Sequence, residues 1–191
     1  MFRKKKKEIQ PLVTQNNNKN YISEQFKTIR SNLLFSSIDN EIKAIVVASE
    51  KPEAGKSTIA ANLAVVYAQA GYQTLLIDGD MRKPTQHFHF KVDNQNGLSS
   101  LLTHNCTINE AIKQTEEKGL DLMTAGPVPP NPSELIVSER FTNIFTSLCK
   151  WYDYIIIDTP PVNSVTDAQI FAEHAGYAVM VVDVEDNKKR M

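Results

Sequence analysis

Three runs of consecutive apolar residues constrain the fold of this chain most strongly. They are Ile45-Val46-Val47, Leu75-Leu76-Ile77 and Ile155-Ile156-Ile157. Because polar residues do not alternate with the apolar ones, each run predicts a strand that is covered on both faces. Segments with helical periodicity lie between the runs, as expected for parallel strands joined by right-handed crossovers. We therefore predict an α/β fold with a mostly parallel sheet and helices on both faces.

The same patterns give the bounds of the predicted elements. Strands are predicted at 44–48, 74–77, 120–123, 154–157 and 177–182. Helices are predicted at 23–35, 57–70, 133–148 and 166–172. The first helix has apolar residues at helical spacing and Ser23 as its expected N-cap. No internal repeat is found, so one domain is expected, which suits a length of 191 residues.

The charge balance argues against binding to nucleic acid. The chain carries 21 basic and 22 acidic residues, so no overall field attracts it to nucleic acid or to a membrane. A local exception is the basic run Arg3-Lys4-Lys5-Lys6-Lys7, which could contact anionic lipid. The polar segment 1–20 that contains it is predicted to be a disordered tail, and a solvated tail is the simpler interpretation.

Neither a cysteine-based site nor a membrane span is indicated. Cys106 and Cys149 lie far apart, with no Cys or His at ligand spacing, so reduced thiols are expected. No apolar stretch reaches the ~20 residues of a transmembrane helix. The basic N-terminus is followed by polar residues instead of the apolar core of a signal peptide. We therefore expect a cytoplasmic protein.

A phosphate-binding loop is predicted between the first apolar strand and the helix after it. Its residues are Lys51-Pro52-Glu53-Ala54-Gly55-Lys56-Ser57-Thr58. In such a loop, backbone N–H groups point at phosphate oxygens, the lysine reaches the β- and γ-phosphates, and the next hydroxyl binds Mg²⁺. Lys56 and Ser57 take these positions. Glu50 stands where the motif GxxxxGK[ST] has glycine, but the strand–loop–helix context agrees. A P-loop NTPase fold that binds ATP with Mg²⁺ is therefore predicted.

Carboxylates follow the other two apolar runs, at the edge of an open α/β sheet where ligands bind. Asp78 and Asp80 come after the second run, and Asp158 comes directly after the third. Aspartate is short and negatively charged, so it can hold Mg²⁺ or its water ligands and accept a proton from an attacking hydroxyl. Asp158 has the position of a Walker B carboxylate. We expect these carboxylates to surround one phosphate chain together with Lys56 and Ser57.

With these motifs in view, the chain resembles the bacterial tyrosine kinases of capsule and exopolysaccharide synthesis, from about residue 21 to residue 183. Besides the loop and Asp158, the matching segments are Leu75-Leu76-Ile77-Asp78-Gly79-Asp80-Met81-Arg82 and Gly126-Pro127-Val128-Pro129-Pro130-Asn131-Pro132. The resemblance implies ATP-dependent phosphorylation of protein tyrosine. It implies that the catalytic residues are Lys56, Asp78, Asp80 and Asp158, and that Ser57 and the three carboxylates hold Mg²⁺. It also implies that the loop 51–58 and Arg82 contact the nucleotide.

The resemblance implies partners as well. The cytoplasmic kinases of Gram-positive bacteria in this family are activated by the cytosolic tail of a transmembrane polysaccharide co-polymerase. The chain would then lie at the inner face of the plasma membrane, held by that partner or by its basic N-terminus. The family also assembles rings through a Glu-x-x-Arg-x-x-Arg helix, which corresponds here to Glu24, Lys27 and Arg30. Lys27 keeps the charge of the usual arginine but lacks its planar, bidentate guanidinium.

Two alternatives stay open at this point. An ATPase switch of the partitioning and cell-division type shares the fold and has a signature lysine at the position of Lys51, but Arg82 and segment 126–132 resemble the kinases. A regulatory subunit that binds nucleotide without phosphorylating is the other alternative. Members of the family continue with a further helix, a strand and a tyrosine-rich tail, so the domain at 21–191 is expected to lack its C-terminal end. This expected lack supports the regulatory-subunit alternative. The complete set of charged site residues opposes it.

Overall fold

A computed structural model describes residues 12–16, 20–36 and 42–183. The predicted basic run at 3–7 lies outside the described residues. The helices are α1 (Val13–Asn16), α2 (Tyr21–Phe35), α3 (Lys56–Gln69), α4 (Gln86–His89), α5 (Leu98–Leu102), α6 (Ile108–Ala111), α7 (Pro132–Val137), α8 (Glu139–Trp151) and α9 (Asp167–Ala175). The strands are β1 (Ala44–Ser49), β2 (Thr74–Asp78), β3 (Ile112–Gln114), β4 (Leu120–Met123), β5 (Tyr154–Asp158) and β6 (Ala178–Val181). Within the described ranges, no helix is long and apolar enough to cross a lipid bilayer.

The strands form a six-stranded sheet in the order β3-β4-β2-β5-β1-β6. Strand β3 runs antiparallel to β4, and the other neighbouring pairs are parallel. Strand β5 lies between β1 and β2, so the ends of these three strands are adjacent along one edge of the sheet. The carboxyl ends of the three apolar runs therefore meet, which is where the predicted site residues follow.

Helices cover both faces of the sheet, and the central strand shows why the apolar runs do not alternate in polarity. Ile155 and Ile157 belong to the core cluster that contains residues of α7, α8 and α9. Ile156, between them, belongs to the cluster that contains residues of α2 and α3. All three side chains are fully buried. The predicted fold class is therefore confirmed.

The segment before α2 differs in part from the expected tail. Leu12 is 3% exposed and packs in the same cluster as α3. The backbone N–H and the hydroxyl of Thr14 both donate to Asn62 Oδ1, at 3.1 and 2.8 Å. Asn62 is oriented in turn because its Nδ2 donates to Thr58 O at 2.8 Å. One apolar and one polar anchor hold this short stretch against α3, which its mainly polar composition does not reveal.

The start of α2 corrects the predicted N-cap. The helix begins at Tyr21, and the side chain of Asn20 caps it by accepting a hydrogen bond from Ile22 N at 3.2 Å. Ser23 lies inside the helix, is buried, and donates from its Oγ to Val13 O at 3.4 Å. Asn20, three residues before the predicted cap, can take this position because an Asn side chain accepts the capping hydrogen bond at least as well as a Ser side chain.

The predicted helix at 133–148 is two helices, α7 and α8, that meet at Ser138. The backbone of Ser138 is extended, with φ −65° and ψ 148°, which ends α7 and begins α8. Its Oγ accepts from Phe141 N at 3.2 Å and donates to Leu135 O at 2.6 Å. A serine side chain that bonds the backbone in this way competes with the helical hydrogen bonds. The sequence pattern also failed to predict the short elements α1, α4, α5, α6 and β3.

Candidate active site

The turn between β1 and α3 has the form of a phosphate-binding loop. Gly55 is the N-cap residue of α3 and has a φ of 85°, a left-handed conformation that glycine adopts without steric cost. Glu53 also has a positive φ, of 66°. Pro52, Glu53 and Gly55 are exposed, whereas Lys51 and Ala54 are half-buried. The first backbone N–H groups of α3 therefore lie beside an exposed turn, and a helix N-terminus of this kind favours a bound phosphate.

Lys56, the first residue of α3, lies among the predicted carboxylates. Its Nζ is 3.4 Å from Asp80 Oδ2 and 3.4 Å from Asp158 Oδ1. It also lies 3.2 Å from Ser57 Oγ, to which it donates. Lys56 is only 9% exposed. The structure thus brings three other predicted site residues, Ser57, Asp80 and Asp158, to the ammonium group of Lys56.

The carboxylates are placed by neighbouring strands and the loop between β2 and α4. Asp78 ends β2 and Asp158 ends β5, and the two are paired in the parallel register. Both are fully buried, whereas Asp80, two residues after β2, is 5% exposed. The loop is held against β5 because Gly79 N donates to Asp158 O at 2.8 Å, and Asp80 Oδ1 accepts from Lys83 N at 3.0 Å. Asp78 therefore joins the group through its pairing with Asp158.

Burial and mutual repulsion shift the pKa values of the buried groups. Burial raises the pKa of Asp78 to about 8, and the negative charge of Asp158 adds to this rise. Burial also raises the pKa of Asp158, although the positive charge of Lys56 opposes the rise. For Lys56, burial lowers the pKa, but Asp158 and Asp80 outweigh it and the net shift is upward. At neutral pH the site therefore combines a charged ammonium with a carboxyl group whose proton a cation can replace.

The oxygen atoms left over in the site fit a small divalent cation beside a phosphate chain. Asp78 Oδ1 and Asp158 Oδ1 are buried and accept no hydrogen bond from the described residues, although Asp158 Oδ1 lies 3.4 Å from Lys56 Nζ in an ion pair. In the same part of the chain, no group of three or more His, Cys, Asp or Glu side chains is arranged to hold a metal ion alone. Mg²⁺ agrees with both observations, because it uses one or two carboxylates and takes its other oxygens from substrate phosphates and water. Ser57, in the first turn of α3, is the predicted hydroxyl ligand.

Sequence reasoning missed Gln86, which contacts three of the predicted site residues. Gln86 is the first residue of α4 and is fully buried. Its Nε2 donates to Asp158 Oδ2 at 2.8 Å and to Ser57 O at 3.0 Å, and its backbone N–H donates to Asp78 Oδ2 at 2.9 Å. No motif in the sequence marks this glutamine, because it lies eight residues after Asp78 in a helix that is too short to show a pattern.

Arg82, which was predicted to contact nucleotide, is engaged with other elements of the fold. Its Nε donates to Asp167 Oδ2 at 3.2 Å and its Nη2 donates to Ser133 Oγ at 3.0 Å. Ser133 Oγ donates to Asp167 Oδ1 at 2.5 Å, and Asp167 is fully buried at the start of α9. This network links the loop after β2 to α7 and α9. The nucleotide contact of Arg82 stays a prediction.

The predicted motif at 126–132 leads into that network. Gly126 has a φ of 78°, and an added Cβ would clash with Ser99 Oγ, so only glycine fits there. The side chain of Asn94 holds the turn, because its Oδ1 accepts from Gly126 N at 2.9 Å and its Nδ2 donates to Gly126 O at 2.8 Å. Pro132 then begins α7, where its missing N–H costs nothing. The segment thereby positions Ser133 toward Arg82.

The residues predicted to assemble rings make contacts within the chain. Lys27 Nζ lies 2.8 Å from Glu24 Oε1, one turn earlier on α2. Arg30 points to the other side, where its Nη1 donates to Val66 O of α3 at 2.5 Å. Arg30 therefore helps to hold α2 against α3.

Comparison with known proteins agrees with the geometry of this site. A family model described as an AAA domain matches residues 42–188. The tyrosine-protein kinase YwqD of Bacillus subtilis is 45% identical over 167 residues, which span 87% of this chain and 70% of that protein. The chain is an AAA-domain protein of the bacterial tyrosine-protein kinase family. Another similar protein is CapB of Staphylococcus aureus, 53% identical over 186 residues that span 97% of this chain and 82% of CapB.

Solved structures also resemble this kinase-family chain. The chimerical protein CapA2B2 matches with a TM-score of 0.88 and 52% identity, over 94% of this chain and 80% of that one. The septum site-determining protein MinD of Pyrococcus horikoshii, solved in complex with Mg-ADP, matches with a TM-score of 0.62 and 26% identity, over 73% of this chain and 57% of that one. The P-loop NTPase fold is therefore confirmed. The TM-score, the sequence identity and the coverage are all higher for CapA2B2 than for MinD. Together with the identity to the tyrosine-protein kinase YwqD, this weighs against the ATPase-switch alternative.

Proposed function

We propose that this chain uses ATP with Mg²⁺ to phosphorylate tyrosine side chains of proteins, and that it thereby regulates capsular or extracellular polysaccharide synthesis. The observation that carries the proposal is the position of Lys56. Its ammonium group lies 3.4 Å from carboxylates that follow two different strands, beside the N-terminus of α3. A positive charge, buried carboxylates and the N–H groups of a helix N-terminus at one point are what the transfer of a phosphoryl group requires.

The loop 51–58 holds the phosphate chain in this proposal. The backbone N–H groups at the start of α3 bind phosphate oxygens, and Lys56 neutralises charge on the β- and γ-phosphates. Ser57 and the two strand-end carboxylates Asp78 and Asp158 would hold the cation, because the Oδ1 atoms of both carboxylates accept no hydrogen bond from the described residues. Bound Mg²⁺ would stabilise the negative charge that develops on the phosphate oxygens.

Asp80 is the carboxylate that we assign to the tyrosine hydroxyl. It is 5% exposed, whereas Asp78 and Asp158 are fully buried, so Asp80 is the one of the three that a protein substrate can approach. The phenol oxygen of the substrate forms a bond to the γ-phosphorus, and the bond from that phosphorus to the β–γ bridging oxygen breaks. Asp80 accepts the phenol proton, and the products are phosphotyrosine and ADP.

A phosphotransfer assay tests the activity directly. The chain is incubated with radiolabelled ATP, Mg²⁺ and a tyrosine-containing polymer, with and without the cytosolic peptide of the proposed activator, and phosphotyrosine is identified by mass spectrometry. We expect label on tyrosine, and none with Lys56→Met. Wild-type nucleotide affinity without phosphotyrosine under either condition would support the regulatory-subunit alternative instead.

We also propose that the activator is the cytosolic tail of a transmembrane polysaccharide co-polymerase, which would place the chain in the cytoplasm at the inner face of the plasma membrane. Support comes from membership of the kinase family and from the motif resemblance at 126–132. The tail peptide is expected to raise the rate of phosphotyrosine formation in the assay above. A scrambled peptide of the same composition is the control, and an equal effect of both peptides would contradict the proposal.

Ring assembly through Glu24, Lys27 and Arg30 is a further proposal. Lys27 is paired with Glu24 inside the helix, so assembly requires these two side chains to exchange that contact for one on a neighbouring copy. Light scattering of the wild type and of Glu24→Gln, with MgATP present, measures the effect. A loss of higher oligomers in the variant is expected, and an unchanged mass would contradict a role of this helix.

A further inference from the structure

Gln86 occupies the centre of the proposed site although it carries no charge. It is fully buried and begins α4, the short helix that follows the loop of Asp78 and Asp80. Four hydrogen-bonding groups of Gln86 are therefore removed from water: two amide hydrogens, one amide oxygen and the backbone N–H. Their partners show what the residue does.

Both hydrogens of the side-chain amide are used, and both partners are acceptors. Nε2 donates to Ser57 O at 3.0 Å and to Asp158 Oδ2 at 2.8 Å. Since an amide oxygen could donate to neither partner, the orientation of the amide group is fixed by the network. Oε1 faces away and is buried without a hydrogen-bond partner among the described residues. The amide thus ties the Asp158 carboxylate to the first turn of α3.

The backbone of the same residue supports the other strand-end carboxylate. Gln86 N donates to Asp78 Oδ2 at 2.9 Å, and Thr85 N donates to the same oxygen at 3.0 Å. Asp78 and Asp158 are paired in the sheet register, so negative charges on both would repel each other, which contributes to the raised pKa of Asp78. Gln86 places one N–H on each of them, which offsets part of that repulsion.

The contact with Oδ2 decides which oxygen of Asp158 is left for other partners. With Oδ2 held by Gln86, Oδ1 faces Lys56 at 3.4 Å. The carboxylate group of an aspartate without such a contact rotates easily, because the χ2 angle of aspartate has a broad distribution. We propose that Gln86 is a positioning residue for phosphoryl transfer, which locks Asp158 so that Oδ1 is presented to the phosphate chain and its cation. The consequence for catalysis rests on the proposed kinase function, whereas the consequence for cation binding does not.

Replacement of Gln86 by methionine tests the proposal, because methionine has a similar length and no polar hydrogen. Loss of a group that orients a metal ligand typically costs about 10–100-fold in metal affinity or activity. We therefore expect Gln86→Met to weaken Mg²⁺-dependent ATP binding by that factor in calorimetry. ATP binding in EDTA should change less than about threefold, because Lys56 and the loop remain. The kcat of phosphotransfer should fall while the KM for the tyrosine acceptor stays nearly constant.

Two further variants separate positioning from general damage to the fold. Gln86→Glu keeps the size but replaces the donor by a second carboxylate, so it is expected to lose at least as much Mg²⁺-dependent binding as Gln86→Met. Gln169→Met is the matched control, because Gln169 is exposed on α9 and pairs only loosely with Glu173 Oε1, at 3.3 Å. Wild-type Mg²⁺-dependent binding and wild-type kcat in Gln86→Met would overturn the proposal.

A measurement on the unmodified protein covers the case in which the variants do not fold. The two side-chain amide protons of Gln86, observed by NMR, should exchange with solvent far more slowly than those of the exposed Gln169. Exchange at the rate of an exposed glutamine would overturn the proposal. If the wild type makes no phosphotyrosine, the proposed kinase function is wrong, but the proposal for Gln86 is still tested. The calorimetric comparison and the proton exchange then decide the role of Gln86.

Discussion

Asp78 and Asp158 lie side by side at the carboxyl ends of β2 and β5, paired in the sheet register and both fully buried. Two negative charges in this position need compensation. Lys56 supplies it to Asp158, at 3.4 Å from Oδ1, whereas the hydrogen bonds that Asp78 accepts from the described residues come to its Oδ2 from the backbone N–H groups of Thr85 and Gln86. Burial and the charge of Asp158 therefore raise the pKa of Asp78, so that its carboxyl group holds a proton at neutral pH, which a bound cation would replace.

The first prediction concerns stability and pH. The pKa of Asp78 is about 8 in the folded protein against an ordinary value of 3.8, so between these values the folded state holds a proton that the unfolded state has lost. The free energy of unfolding should therefore fall as pH rises through this window, by at most about 1.4 kcal/mol per pH unit for one proton. Asp78→Asn can accept the same two N–H bonds without a charge and should lack this fall. Urea unfolding at several pH values, without nucleotide or Mg²⁺, measures the free energy of unfolding of both proteins. If the wild type and Asp78→Asn showed the same dependence on pH, the raised pKa of Asp78 would be contradicted.

The second prediction is that Lys56→Met weakens ATP binding by at least about tenfold, or 1.4 kcal/mol, and abolishes phosphotransfer. No other cation within the described residues is paired with Asp80 or Asp158 in place of Lys56. Calorimetry with Mg²⁺ and the phosphotyrosine assay measure both effects. Lys150→Met, which removes an exposed lysine from the last turn of α8, is the control. Unchanged affinity together with unchanged turnover would remove Lys56 from the site.

Asp80→Asn and Asp158→Asn should keep the fold and lose phosphotransfer, by about 10²-fold or more, because each removes negative charge that holds the cation or accepts a proton. Asparagine is nearly isosteric, and at position 80 its oxygen can still accept from Lys83 N. Circular dichroism reports the fold and mass spectrometry reports phosphotyrosine. Full activity in either variant would show that the carboxylate in question has another role.

Arg82 allows a direct test of nucleotide contact against a structural role. Arg82→Met leaves the fully buried Asp167 with one donor fewer, so we expect a loss of about 1–3 kcal/mol in the free energy of unfolding. If the role of Arg82 is to link the loop after β2 to α7 and α9, the dissociation constant for ATP should change less than about threefold. A double-mutant cycle with Asp167→Asn measures the coupling of the pair. A large loss of ATP affinity without loss of stability would support the nucleotide contact instead.

The strands and the charged site residues could be predicted from the sequence because each rests on a local pattern. A strand buried on both faces shows as a continuous apolar run, and Ile155-Ile156-Ile157 is one. In a parallel sheet the carboxyl ends of neighbouring strands share one edge, so the acids that follow the runs had to converge. Lys56 and Ser57 could also be predicted from a local pattern, the motif of the phosphate-binding loop.

Other features depend on contacts between distant residues, which no local pattern contains. Gln86 is 72 residues from Asp158 in the chain, and their hydrogen bond exists only after the sheet has formed. Thr14 meets Asn62 across 48 residues, which is why a segment of tail-like composition is held against α3. Ser138 is a local feature, but a serine is compatible with either a continuous helix or a break, so its own hydrogen bonds decide.

The position of β5 between β1 and β2 has a consequence for the synthesis of this protein. Ala44 pairs with Ile155 and Thr74 with Tyr154, so both early strands need a partner that the ribosome makes much later. Pairings of such large sequence separation form late and slowly. Apolar strands that wait for a partner are prone to aggregation or to capture by chaperones. A nascent chain arrested just before Tyr154 is therefore expected to be protease-sensitive and unable to retain ATP, although its phosphate-binding loop has already been translated in full.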